Sequence, residues 1–120
     1  MKMKIKRKPR IFEVKKFKIK DYGKIYLSDG EMVSFVTDSG RECDFAAKEW
    51  GFYLGPSLNS RLKKEGFKVA LVVNEHNQLY VMAVEQDKIK AFKKYLSTNQ
   101  DNRILCWLDE WVGSGIKEVQ

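Results

Sequence analysis

The sequence holds only one histidine and two cysteines, the residue types most often found as a nucleophile–base pair or as zinc ligands. His76 is the only histidine, and it lies between Glu75 and Asn77 at the tip of a predicted hairpin. Cys43 and Cys106 lie inside predicted strands with apolar neighbours, where buried thiols are expected. A nucleophilic pair needs its two side chains within hydrogen-bond reach, and a zinc site usually needs four ligands. The sequence therefore favours a non-catalytic role with no metal or cofactor, and leaves a minor enzymatic activity open.

One segment could bind a small anionic molecule. Three aromatic residues, Trp50, Phe52 and Tyr53, stand beside Gly51 and Gly55 and are followed by the start of a predicted helix. The unpaired N–H groups of a helix start suit a phosphate or carboxylate. A nucleotide, a nucleotide-sugar or an acidic sugar would fit this combination. The alternative is that the aromatic rings close the core and the serine only caps its helix. The candidate ligand-binding residues are Trp50, Tyr53, Ser57, Asn59 and Arg61.

The positive charge of the chain is concentrated at its N-terminus. The first 24 residues contain eleven Lys and Arg against Glu13 and Asp21, a local net charge of +9, whereas the remaining 96 residues sum to −2. Such a basic segment on a near-neutral body predicts a contact with an anionic partner, either nucleic acid or an acidic protein surface. The alternative is a solvated terminus without a partner. The predicted polyanion-binding residues are Lys2, Lys4, Lys6, Arg7, Lys8 and Arg10.

No zinc finger, helix-turn-helix or RNP-type aromatic pattern accompanies this basic segment. Any nucleic-acid binding would therefore respond to charge and not to base sequence. No apolar run is long enough to span a bilayer, and the basic start lacks the apolar stretch of a signal peptide. We therefore expect a cytoplasmic protein without membrane insertion, and the oligomeric state stays open.

The first 48 residues predict an antiparallel meander of three or four strands. The apolar alternation over Arg10–Lys20 changes phase at Lys15-Lys16, which predicts either a bulge or two short strands. Asp29-Gly30 separates Lys24–Ser28 from Glu31–Thr37 and predicts that these two segments pair as a hairpin. A further turn then leads into another strand.

The second half predicts a short amphipathic helix starting near Ser57, a hairpin around His76, a second helix over Gln86–Ser97 and a last strand at Arg103–Leu108. Both hairpin strands are apolar on nearly every residue, which is typical of strands covered on both faces. The predicted class is α+β, an antiparallel or mixed sheet with two helices packed on one side. The predicted domains are a flexible basic arm over 1–10, a single α+β domain over 11–112 and a flexible tail over 113–120.

Three stretches, Glu49–Val72, Leu79–Glu85 and Cys106–Asp109, together resemble a group of small uncharacterised bacterial proteins that accompany surface-polysaccharide biosynthesis enzymes. The resemblance covers most of the chain and carries no catalytic motif, so it implies a bacterial accessory protein. Two functions follow as hypotheses. The first is a binding or accessory protein whose basic arm contacts an anionic partner. The second is a sugar or nucleotide-sugar binding factor, or minor enzyme, in surface-glycan synthesis that uses Trp50 to Arg61.

Overall fold

The computed structural model describes residues 1–98 and 101–112 and is mostly sheet, with 53% strand and 19% helix. Within these residues the strands form one two-stranded and two three-stranded sheets. The chain divides into two compact units. The first comprises Met1–Phe35 and Asp44–Gly55, and the second comprises Val36–Cys43 and the described residues from Pro56 onward.

A long antiparallel hairpin occupies the start of the first unit. Strand β1 spans Lys2–Val14 and strand β2 spans Phe17–Tyr26. The two residues between them, Lys15 and Lys16, form the connecting turn, and Lys15 takes a φ of 55° there. A two-residue hairpin loop needs positive φ because its backbone must follow the right-handed twist of both strands. The phase change at Lys15-Lys16 therefore marks a turn between two strands.

The second sheet has the strand order β3-β4-β5, with β3 at Met32–Val36, β4 at Glu42–Lys48 and β5 at Gly51–Leu54. Most of its residues belong to the first unit, while Val36, Glu42 and Cys43 are counted in the second. The predicted turn at Asp29-Gly30 is present, with the Glu31 amide donating to the Ser28 carbonyl at 3.0 Å. Its flanking segments pair elsewhere, however, since β2 pairs with β1 and β3 with β4. The predicted pairing across this turn is therefore wrong.

The second unit contains a three-stranded antiparallel sheet in the order β7-β6-β8, with β6 at Phe67–Val73, β7 at Leu79–Glu85 and β8 at Arg103–Trp107. The predicted hairpin between β6 and β7 is confirmed. Every residue of β6 is buried or half-buried, as its apolar sequence predicts, because it is the central strand. The equally apolar β7 is an edge strand, and its first three residues are exposed. The prediction that both strands are covered is therefore wrong for β7.

Helix α1 spans Arg61–Glu65 and helix α2 spans Ile89–Thr98. Leu96 and Phe92 of α2 pack against the β6 residues Ala70 and Val72, which places the core of this unit between the helix and the sheet. Leu62 of α1 is fully buried. A single-turn 3-10 segment, Gln86–Lys88, directly precedes α2, and another, Leu108–Glu110, directly follows β8.

The predicted architecture of two helices packed on one side of a sheet is wrong. Three small sheets replace the continuous one, and α2 is the only helix longer than five residues in the described part of the chain. The first predicted helix is short because residues 58–60 form a turn before it. Ser and Asn side chains offer the backbone such non-helical alternatives.

The residues of the predicted basic arm belong to strand β1, whose first residue is Lys2. These residues are thus in extended conformation, and Lys2–Ile5 and Arg10 pair with β2. The predicted domain boundaries stay predictions. The predicted tail over 113–120 lies outside the described residues.

Candidate functional site

The register of the β1–β2 hairpin sets like charges opposite each other. Lys4 pairs with Lys24, and Lys2 pairs with Tyr26 two positions away. Residues opposite each other on an antiparallel pair share one face of the sheet, so the three ammonium groups and the phenol ring lie on the same side. Like charges placed directly opposite are destabilising. An anion bound at this face would relieve that repulsion.

A large bulge interrupts the β1–β2 pairing next to this face. Between the pairs Ile5–Gly23 and Arg10–Asp21, β1 advances five positions while β2 advances two. Gly23 of β2 is in the last pair before the bulge. Its φ is +129°, and an added Cβ would lie 1.8 Å from the Lys4 carbonyl oxygen. No other residue type can occupy this position without moving the backbone.

Asp21 contacts the backbone of β2 and a side chain of β1 at the bulge. Its Oδ1 accepts a hydrogen bond from the Gly23 amide at 3.0 Å, and its Oδ2 lies 3.1 Å from Arg10 Nη2. The guanidinium of Arg10 also lies 5.2 Å from the centre of the Phe12 ring. Even with these contacts, 69% of the Arg10 side chain is exposed, so its remaining donors can reach a ligand.

The hairpin forms a cavity of about 460 Å³ at the bulge, which we call the bulge pocket. Among the described residues its lining holds one carboxylate against four cations, a net charge of +3. The ammonium of Lys4 lies 5.7 Å from the centre of the Tyr26 ring. Concentrated positive charge with an Arg fork and flexible Lys groups suits phosphate oxygens. The lining residues are Lys4, Lys6, Arg10, Asp21, Gly23, Lys24 and Tyr26.

The bulge pocket uses half of the predicted polyanion-binding residues. Lys4, Lys6 and Arg10 line it, whereas Lys2, Arg7 and Lys8 belong to β1 but lie outside its lining. Sequence reasoning did not include Lys24 or Tyr26 in the site. The change of alternation at Lys15-Lys16 could have indicated their involvement, because a tight turn there folds β2 back onto β1 and brings Lys24 and Tyr26 opposite Lys4 and Lys2.

The predicted small-molecule site is distributed over both units. Trp50 and Tyr53 belong to the first, where their rings stack with centres 5.9 Å apart and 69% of Trp50 is exposed. Ser57, Asn59 and Arg61 belong to the second. There the Ser57 hydroxyl accepts a hydrogen bond from the Arg61 amide at 3.0 Å. The N-cap position of α1 is Ser60, whose side chain makes no capping bond, so the predicted cap at Ser57 is wrong. The five residues stay a prediction as one site.

His76 lies in the loop between β6 and β7 with 74% of its side chain exposed, which confirms its predicted position. Both cysteines carry thiols and lie in strands, with Cys43 buried in β4 and Cys106 half-buried in β8. Within residues 1–98 and 101–112, no group of three His, Cys, Asp or Glu side chains is placed to hold a metal ion.

Two other charged clusters have structural roles in the second unit. The carboxylate of Glu85 accepts hydrogen bonds from the hydroxyls of Ser39 and Thr37 and lies 3.1 Å from Lys88 Nζ. The hydrogen bond from Ser39 lowers the pKa of Glu85 and outweighs the effect of burial, with Lys88 and Thr37 contributing in the same direction. Arg41 similarly lowers the pKa of Asp87 by donating to it.

The second cluster joins the start of β6 to the segment after β8. Lys68 Nζ lies 3.1 Å from Asp109 and 3.0 Å from Glu110, and 4.9 Å from the centre of the Trp107 ring. Burial acts to lower the pKa of Lys68, but the hydrogen bonds to Glu110 and Asp109 raise it overall. This lysine occupies the space beside Trp107 where a cationic ligand could otherwise bind.

Comparison of the chain with protein-family models, with curated proteins and with solved structures gives no match. The resemblance to proteins accompanying polysaccharide biosynthesis therefore stays a prediction. Across the described helices, none is long and apolar enough to cross a membrane.

Proposed function

We propose that this chain binds an anionic polymer through the bulge pocket of its N-terminal hairpin. The observation that supports the proposal is the convergence of Lys4, Lys6 and Arg10 from β1 with Lys24 from β2 on one cavity. All eleven cations of the first 24 residues lie in this hairpin or its turn. They provide a field that attracts a polyanion from a distance, and the pocket provides the point of contact.

Replacing lysine with neutral glutamine tests the proposal better than truncation does, because removing residues 1–10 would also remove most of the strand that pairs with β2. The test variant is Lys4→Gln/Lys6→Gln/Lys24→Gln. The matched control is Lys90→Gln/Lys93→Gln/Lys94→Gln, which removes the same charge from exposed positions of α2. Binding of a fluorescein-labelled 16-bp duplex and of labelled heparin is followed by fluorescence anisotropy between 50 and 200 mM NaCl.

For four phosphate contacts, the log–log slope of duplex affinity against salt should be about −3 to −4. The hairpin variant should bind at least ten-fold more weakly at 50 mM and show a slope near −1, since each lost phosphate contact changes it by roughly one unit. The α2 variant should keep the slope of the unmodified chain. Equal losses in both variants, or no binding of either probe at low salt, would contradict the proposal.

The exposed aromatic pair of the first unit supports a second candidate function, carbohydrate binding at Trp50 and Tyr53. An exposed, stacked pair offers an apolar surface on which a sugar ring can lie. Glucuronic acid should then change the tryptophan fluorescence of the unmodified chain and of Trp111→Phe, but not of Trp50→Phe. An identical response in all three proteins would exclude the pair as a sugar site.

A further inference from the structure

The bulge pocket is more than a patch of positive charge. A flat face of lysines would bind any polyanion by its charge, whereas this pocket is concave and has an aromatic ring among its cations. Its volume of about 460 Å³ lies at the small end of the range of ligand pockets, large enough for one nucleotide. Tyr26 is 44% exposed, so its ring is accessible to a second ring.

We infer that the polymer bound at this site is single-stranded nucleic acid, with one base stacked on Tyr26 and its phosphate held by Lys6 and Arg10. The inference rests on the proposed function and specifies its ligand. Aromatic rings set among basic side chains are the usual means of binding unpaired strands without sequence preference, because every base has a π face. An acidic protein surface would use the cations alone and gain nothing from the ring.

The contact between Lys4 and Tyr26 is compatible with a stacked base. The ammonium lies 5.7 Å from the ring centre, and an exposed cation–π contact of this kind is weaker than base–aromatic stacking. A base can therefore displace the Lys4 ammonium, which is on a flexible side chain and can move to a phosphate oxygen. The charge then follows the anion while the ring takes the base.

A base pair cannot use the pocket in the same way. In a duplex each base is stacked on its neighbours and paired to its partner, and it must be flipped out before it can enter a cavity. Duplex DNA would therefore contact the cations from outside through its phosphates, without the stacking contribution. Tyr26 thus provides the preference for single-stranded over duplex nucleic acid, and the four cations provide affinity for any nucleic-acid backbone.

The test separates stacking from charge with two probes of equal charge. Anisotropy at 100 mM NaCl compares labelled dT12 with a labelled abasic 12-mer that has the same phosphates but no bases. The variant is Tyr26→Leu, which keeps an apolar side chain at the same strand position, and the control is Tyr22→Leu. Tyr22 is in the same strand and 47% exposed but lies outside the pocket lining.

The unmodified chain and Tyr22→Leu should bind dT12 about ten-fold more tightly than the abasic strand, a preference of the size expected for one stacked base. Tyr26→Leu should lose this preference and still bind the abasic strand normally, which also shows that its hairpin is folded. Equal binding of dT12 and the abasic strand by the unmodified chain would overturn the inference, as would binding of a twelve-residue polyglutamate as tightly as dT12. Salt-sensitive duplex binding would still support the proposed function in either case, and its absence would refute that function separately.

Discussion

At the scale of single residues, Lys68 pairs with two carboxylates of the second unit. Its ammonium lies within ion-pair distance of Asp109 and Glu110. The side chain of Asp109 is fully buried, and its Oδ1 accepts a hydrogen bond from the Val69 amide at 3.0 Å. A buried carboxylate is tolerated only when such partners compensate for its lost hydration. The arrangement ties the segment after β8 to the central strand.

Removing the ammonium should therefore destabilise the protein strongly. Lys68→Met leaves the Asp109 carboxylate buried without its cation, which should lower the free energy of unfolding by about 3 kcal/mol. Lys64→Met, at an exposed position of α1, should change it by less than about 0.5 kcal/mol. Urea unfolding followed by circular dichroism measures both. A loss below about 1 kcal/mol for Lys68→Met would mean that Asp109 is held by the backbone alone.

At the scale of elements, the bulge gives the N-terminal hairpin its pocket. Because β1 contains three more residues than β2 between the two flanking pairs, Lys6 and the residues after it have no direct partner in β2 until Arg10. The ladder resumes there with a salt bridge to Asp21. A regular hairpin of this composition would present flat rows of lysine, so the bulge is the feature that creates a concave site.

Gly23→Ala should disrupt this bulge. The added methyl group would lie 1.8 Å from the Lys4 carbonyl oxygen at a φ of +129°, and both β1 and the backbone of β2 would have to move. Hydrogen exchange followed by mass spectrometry should show faster exchange in peptides from β1 and β2, together with weaker duplex binding.

Gly30→Ala is the matched control, since Gly30 also has a positive φ, +83°, but no heavy atom within 4 Å of the added carbon. It should leave exchange in the hairpin unchanged. Equal protection of β1 and β2 in both variants would show that the strands can shift to accommodate a side chain at position 23.

At the scale of the whole molecule, charge is divided between an N-terminal segment of +9 and a remainder of −2. The remainder uses its carboxylates to hold cations and hydroxyl groups of its own fold, as Glu85 and Asp87 do with Ser39 and Arg41. The basic segment carries eleven cations against two carboxylates, so most of its charge is not neutralised within the segment. This division favours steering of a polyanion toward one end of the chain.

The protein should lose stability in acid because of these carboxylates. The folded-state pKa of Glu85 lies below its ordinary value of 4.5, so folding favours the ionised form. Its contribution is complete above about pH 4.5 and is lost as the pH falls through the lower folded-state pKa. Glu85→Gln should therefore lose less stability than the unmodified chain between pH 7 and pH 3, by urea unfolding. Glu49→Gln, on an exposed side chain, should follow the unmodified chain. Identical pH dependence in all three would assign the acid sensitivity to other groups.

Local sequence determined several features by itself. The concentration of cations in residues 2–24, the exposure of His76, the burial of β6 and the turn at Asp29-Gly30 each depend on composition or on a few adjacent residues. Such features survive because solvation, apolar burial and turn geometry act over short distances along the chain. The strand character of β3, β4, β6, β7 and β8 was visible for the same reason, whereas the first residues of β1 were expected to form a flexible arm.

Tertiary structure decided which segments pair and which cations meet. The apolar patterns of β6 and β7 are alike, yet only the central strand is covered, because position in the sheet is set by β8 from far along the chain. Lys4 meets Lys24 and Tyr26 only through a register that includes the bulge, and no local signal in residues 6–9 specifies its size. Register depends on the sum of many cross-strand contacts, so the bulge pocket could be found only in the folded hairpin.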